Sequence, residues 1–279
     1  MKSGTYILDC VSRSNHANTD VCEGFSVTKT YRTSPTPTIA PKNNTLPEGY
    51  VAVVTGGATG IGEYIARSFV EAKASGVVIT GRRAALLEET KGKLEKLAAD
   101  LGQRVKVTTC TGDAEQQEAY IKLREHVEKE QGGRLDVLVC NAGPGTTDPK
   151  LWSKKIHEQD VDSFDSVIRV NLCGPYYAAK HLIPLMLKAP SQGKTIVNIV
   201  SAAAHFTDGF PPISYPIAKL GETRLAQNIS QAYAEEGLQA FALHPGGVMT
   251  PSSSTMPKEM QGSELNPSFR KFFFESRIV

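Results

Sequence analysis

The pattern of apolar and polar positions divides the chain at Tyr50. Residues 1–49 carry no sustained period, are rich in Ser and Thr, and contain Pro35, Pro37, Pro41 and Pro47, each of which fixes φ and interrupts helices. They read as an extended, disordered arm. From Tyr50 onward, short β-branched runs alternate with longer amphipathic segments. Strands are predicted at 51–55, 77–80, 105–110, 135–140, 195–200 and 239–243. Between them, Ile61, Ile65, Ala66, Phe69 and Val70 form a helical stripe, and a charged helix runs to about Asp100. Further helices are expected over 114–130, over 163–188 with a break near Gly174-Pro175, and over 213–236, closed by Gly237. Strands that alternate with helices of ten or more residues specify βαβ units. The class is α/β, a doubly wound parallel sheet with helices on both faces.

Composition leaves this picture standing and removes several functions. At 279 residues and 40% hydrophobic, the chain can bury one full α/β core with an arm to spare. A net charge of +2 with no Lys/Arg run gives no field for a phosphate backbone, so no nucleic-acid partner is expected. No apolar run reaches the ~18 residues that span a bilayer, so no membrane is expected. The run 6–11 is short and interrupted by Asp9, which argues against a signal peptide, while Asp9, Asp20 and Glu23 count against a mitochondrial presequence. A cytoplasmic protein is the expectation. The five cysteines contain no Cys-x-x-Cys, and the six histidines are scattered, so neither a disulfide framework nor a metal site is indicated. Cys110, Cys140 and Cys173 read as inert core thiols.

Three stretches carry candidate chemistry. Thr55-Gly56-Gly57-Ala58-Thr59-Gly60-Ile61-Gly62 joins the first strand to the first helix. Glycines there allow a tight bend and close approach to a pyrophosphate, and the free N–H groups of the helix end attract the anion. The second strand ends in Gly81-Arg82-Arg83 rather than in an acid. An acid at this place would accept hydrogen bonds from an adenosine ribose, whereas Arg82 matches a 2′-phosphate, so NADP(H) is preferred to NAD(H). Tyr215 and Lys219 lie four residues apart on one helical face, with Cβ atoms roughly 5–6 Å apart. An ammonium beside a phenol favours the phenolate, which makes the pair a proton shuttle.

Together these elements resemble the short-chain dehydrogenase/reductase family, classical type, over about 50–250. The resemblance rests on Thr-Gly-x-x-x-Gly-x-Gly (Thr55, Gly56, Gly60, Gly62), Asn-Ala-Gly (Asn141, Ala142, Gly143), the helix residue Asn171, Ser201 after the fifth strand, Tyr-x-x-x-Lys (Tyr215, Lys219), and Pro-Gly-x-Val-x-Thr (Pro245, Gly246, Val248, Thr250). It implies a Rossmann-like sheet and a set of roles. Tyr215 would exchange the proton at the substrate oxygen, with Lys219 assisting it and holding the nicotinamide ribose. Ser201 would hydrogen-bond the reacting oxygen, and Asn171 would anchor a water that links Lys219 to solvent. Thr55, Gly56, Gly60, Ile61 and Gly62 would hold the dinucleotide, Asp113 the adenine, and Val248 with Thr250 the carboxamide, while Asn141 borders the cleft. The family's dimer interface uses the helices expected over 163–188 and 213–236, so a homodimer or homotetramer is implied.

The expected activity is NADP(H)-dependent interconversion of a ketone and a secondary alcohol on a small to medium hydrophobic metabolite. Two departures qualify it. The segment between Ser201 and Tyr215 is about one residue longer than the commonest family spacing. More consequential, 251–279 is short for a substrate lid, a further helix and the family's last strand, and it contains the aromatic cluster Phe269, Phe272, Phe273 and Phe274. The last strand is expected to be absent or rebuilt, which leaves an unpaired edge. The alternatives are a truncated relative that binds NADP(H) without turnover, and a non-redox, dehydratase-like reaction on the same scaffold. The arm from Phe25 to Pro41 also resembles the leader of a fungal branch of the family, whose members often serve secondary metabolism.

Overall fold

The computed structural model describes residues 36–143, 154–191, 193–205, 212–246, 248, 250 and 251. Six strands alternate with helices: β1 (Val51–Thr55), α1 (Gly60–Glu71), β2 (Gly76–Gly81), α2 (Ala84–Asp100), β3 (Lys106–Thr111), α3 (Gln117–Glu130), β4 (Val137–Cys140), α4 (Val161–Ile168), α5 (Gly174–Lys188), β5 (Lys194–Ile199), α6 (Ser214–Ala232) and β6 (Leu238–Leu243). All pairings are parallel, in the order β3-β2-β1-β4-β5-β6. The order reverses between β1 and β4, and a crevice opens there beyond the carboxyl ends of the strands.

The alternation of side chains along each strand builds two cores. Val53, Val78 and Leu138 face Leu123, Leu182, Met186 and Ile229 of α3, α5 and α6. Their neighbours Ala52, Val54, Val77 and Ile79 face Ala66, Val70, Leu87 and Leu94 of α1 and α2. A one-residue register shift would exchange the two sets, so the double layer itself fixes the register. Asp136 fastens the sheet at its amino end. Its wholly buried carboxylate accepts from Val51 N at 2.8 Å and from Arg134 Nε at 2.9 Å.

Several boundaries differ from the sequence expectation. α3 begins at Gln117 rather than 114, because Asp113 accepts Glu115 N at 3.1 Å and holds the chain in a turn first. No break occurs at Gly174-Pro175. A π-helical turn over Arg169–Cys173 joins α4 to α5, with Gly174 N reaching back five residues to Arg169 O. Pro175 thereby falls in the first turn of α5, where a missing N–H costs no helical bond. Residues 36–49, expected to be extended and disordered, follow a defined path: a short 3₁₀ turn at Pro41–Asn43, Leu46 N donating to Ala72 O, and Leu46 packed on the core beneath α1. At the other end, β6 has no outer partner among the described residues, and Phe241 and Leu243 are half exposed. The expected rebuilding of the tail, 252–279, lies outside the described residues.

Candidate active site

The turn after β1 forms because two of its glycines meet conditions other residues do not. Gly60 takes φ +59°, in the left-handed region, and a Cβ there would lie 3.3 Å from Thr250. Gly62 is required by proximity: a Cβ on it would fall 2.2 Å from Gly56 O and 2.6 Å from Asn141 Nδ2. The turn therefore seats α1 directly against β1, and its first residues, Gly60 and Ile61, border the space beyond.

That space is a cleft of about 570 Å³ across the carboxyl ends of β1, β2 and β4. Gly56, Gly60, Ile61, Arg82, Asp113, Asn141 and Thr250 line it. Arg83, for which the sequence offered no role, lines it too. Both guanidiniums are exposed and form no ion pair among the described residues. Thr55 and Gly62 lie beneath this cleft rather than in it. Thr55 is buried, and its hydroxyl accepts from Asn141 N and Ala142 N, each at 3.0 Å. Asn141 Nδ2 donates in turn to Thr55 O and Gly56 O. Asn141 therefore borders the cleft as expected by position, while its side chain clamps the glycine turn to the end of β4. Val248 is half exposed and is not among the described residues that line this cleft.

Two of the residues expected to handle protons, Asn171 and Lys219, meet behind Gly143, which lines the cleft. A Cβ at Gly143 would lie 2.6 Å from Asn171 Oδ1 and 2.9 Å from Lys219 Nζ, so the two side chains converge on one point. Asn171 is brought inward on the π-helical turn, wholly buried, with Nδ2 donating to Val167 O at 3.0 Å. Lys219 and Tyr215 share a face of α6, with the ammonium 5.8 Å from the centre of the phenol ring. Ser201 follows β5, nearly buried, and its Oγ accepts from Ala203 N at 3.2 Å. The short 3₁₀ turn after it packs against α6, and Ala202 N donates to His244 Nδ1 at 3.3 Å, tying this turn to the end of β6. Burial holds the His244 ring below the ordinary histidine range.

The sequence did not single out one buried neighbour of Lys219. Glu222 is buried, and its Oε2 lies 2.8 Å from Lys219 Nζ, which also donates to Ile199 O at 2.8 Å. Burial pushes the Glu222 carboxyl up to about 7, against the opposing pull of Lys219. The signal was present: Tyr215, Lys219 and Glu222 stand at helical spacings of four and three on one stripe.

No group of three or more His, Cys, Asp or Glu residues among those described could hold a metal ion. No helix among the described residues is long and apolar enough to cross a membrane. Cys110 and Cys140 are buried free thiols raised by desolvation, and Cys173 is half buried.

Comparison with known proteins bears on the family and the fold. The family model described as short chain dehydrogenase matches residues 50–261. Short chain dehydrogenase pgmD of Aspergillus terreus is 46% identical over 239 residues, 85% of this chain and 76% of its own length. Short chain dehydrogenase mpl6 of Monascus purpureus is 34% identical over 212 residues, 76% of this chain and 69% of its own. Among solved structures, the RhlG/NADP active-site complex of Pseudomonas aeruginosa superposes with a TM-score of 0.66 at 24% identity, covering 75% of this chain and 77% of that one. A Caenorhabditis elegans short-chain dehydrogenase/reductase of unknown function, with cofactor, gives 0.66 at 25% identity over 76% of each chain.

Proposed function

The chain belongs to the short-chain dehydrogenase family, and from that premise we propose that it is an NADP(H)-dependent oxidoreductase that interconverts a ketone and a secondary alcohol on a small to medium hydrophobic metabolite. The observation that carries this reading is the convergence of Asn171 Oδ1 and Lys219 Nζ on Gly143, at the wall of a cleft that two exposed arginines face. The residues present fit a dinucleotide. Gly60 leaves a cradle that a Cβ would fill, the first N–H groups of α1 suit a pyrophosphate, and Arg82 with Arg83 suits a 2′-phosphate. The bound nicotinamide would supply or accept the hydride.

The chain's own residues do the rest. Tyr215 gives or takes the proton at the substrate oxygen, with Ser201 Oγ as a second donor to that oxygen as charge develops. Lys219 biases Tyr215 toward proton release, and Asn171 fixes the wall behind it. Fungal relatives in Aspergillus and Monascus and the resemblance of the arm support a place in fungal secondary metabolism. The free thiols Cys110, Cys140 and Cys173 suit a reducing compartment, so the cytosol is the proposed location. α5 and α6 carry exposed apolar residues, and we take the working form to be a homodimer or homotetramer.

The test is nicotinamide absorbance with NADPH and a panel of ketones. The wild type should turn over, and Tyr215→Phe should lose ~10²–10⁴-fold in rate with NADPH affinity nearly unchanged. Full activity in Tyr215→Phe would refute the mechanism. A second reading, a protein that binds NADP(H) without turnover, is favoured by the half-exposed Val248 and the bare outer edge of β6 among the described residues. It predicts tight NADPH binding with no ketone or alcohol consumed.

A further inference from the structure

Lys219 and Glu222 form a buried ion pair one helical turn beyond Tyr215. A lysine that assists a phenol does so through its positive charge, and a carboxylate in contact with it offsets that charge. Lys219 is 3% exposed at its side chain and Glu222 1%, so solvent does little to screen the contact. The carboxylate and Ile199 O hold the ammonium from two sides, each at 2.8 Å. Resting on the oxidoreductase reading above, we propose that Glu222 is a positioning residue for the proton transfer: it anchors the Lys219 ammonium against β5 and, by its own charge state, sets how strongly Lys219 favours the Tyr215 phenolate.

The surroundings of Glu222 leave it as the group that can change charge. Lys219 faces it from its own helix, the Cys140 thiol from β4 and the Tyr120 phenol from α3. Burial raises both the thiol and the phenol well above neutrality, so they stay uncharged. Asn198 of β5 donates to the backbone carbonyl of Glu222 and contributes no charge. Asn171, on the π-helical turn, reaches the Lys219 side of the pair. With the carboxyl pushed up to about 7, physiological pH falls within its titration. Below that value Glu222 is neutral, the ammonium is uncompensated, and Tyr215 releases its proton more readily. Above it the pair is internally neutralised and Tyr215 retains its proton, which keeps ketone reduction running at higher pH.

The stability sign is opposite to that of an ordinary ion-paired acid. The folded chain holds the Glu222 proton more tightly than the unfolded chain, whose value is near 4.5. The stabilisation is fully present below 4.5 and is lost as pH rises through about 7. The difference in melting temperature between wild type and Glu222→Gln should therefore shift against the wild type across that window.

The experiment compares wild type, Glu222→Gln and Glu222→Asp as NADPH-bound proteins. In Glu222→Gln the alkaline limb of ketone reduction should move to lower pH by about one unit, and Glu222→Asp, which keeps the carboxylate, should restore part of the shift. An unmoved limb in a folded Glu222→Gln overturns the proposal. If Glu222→Gln does not fold, Glu222→Asp carries the test, since withdrawing the carboxylate by one methylene should move the limb the same way by less. Should the wild type consume no substrate, the oxidoreductase reading fails on its own. The phenolate absorbance of Tyr215, taken as the difference from Tyr215→Phe, then decides the inference: it should appear at lower pH in Glu222→Gln, and an unchanged titration overturns it.

Discussion

Arg82 and Arg83 sit side by side at the end of β2 and both face the cleft, yet only Arg82 was expected to choose the cofactor. Arg83 precedes the first residue of α2, where a cation opposes the helix dipole and nothing in the sequence marks it as useful. Its exposure on the cleft wall gives it a reason to be there. A charge-assisted hydrogen bond to a 2′-phosphate contributes about 1.5–3 kcal/mol. Arg82→Asp should therefore lower NADPH affinity by roughly tenfold or more and turn the preference toward NADH, because the new carboxylate repels the phosphate and accepts from a ribose hydroxyl. Dissociation constants for both dinucleotides check this. An unchanged ratio in Arg82→Asp that falls only when Arg83 is also replaced would move the phosphate contact to Arg83.

At the scale of elements, α5 and α6 each turn one face to the sheet and leave apolar residues on the other. Tyr176 and Leu220 are half exposed and Ile217 nearly so. Such residues on these two helices suit burial against the same helices of a second copy. Sedimentation at micromolar concentration should give the mass of two or four chains, and Leu220→Glu should lower it. A single-chain mass in the wild type would refute the assembly. These helices also show where the sequence was legible and where it was not. Their periodicity placed Tyr215 and Lys219 on one face, and β-branched runs located all six strands to within two residues. Pro175 read as a break because proline removes a helical N–H; the π-helical turn that accommodates it depends on Gly174 reaching Arg169, a backbone choice no side chain announces. Glu222 read as one more polar residue of a charged helix. Its burial follows from β4 and β5 closing over that stripe, which is a tertiary event.

For the whole molecule, the described residues build the cleft proposed for the dinucleotide more fully than a pocket for the substrate. Among the described residues the lining of the cleft ends at Pro251 and draws on the ends of β1, β2 and β4 and the start of α1. Asn171 and Lys219 converge behind Gly143, and the edge strand β6 leaves Phe241 and Leu243 half exposed. The 28 residues that follow, 252–279, hold Phe269, Phe272, Phe273 and Phe274. An apolar segment that completes a substrate pocket acts by excluding water and orienting the substrate, so its loss should fall on substrate handling and spare the dinucleotide. Removal of everything after Pro251 should raise KM or abolish turnover while NADPH affinity stays within a few-fold of the intact protein. Protection of the phenylalanine cluster from protease on adding cofactor and substrate would accompany it. A truncated protein as active as the whole would place the substrate pocket entirely within residues before 252, built on the faces of α4 and α6. A truncated protein that loses NADPH binding as well would show that the tail supports the cleft itself, through Thr250 and Pro251 where they close over Gly60.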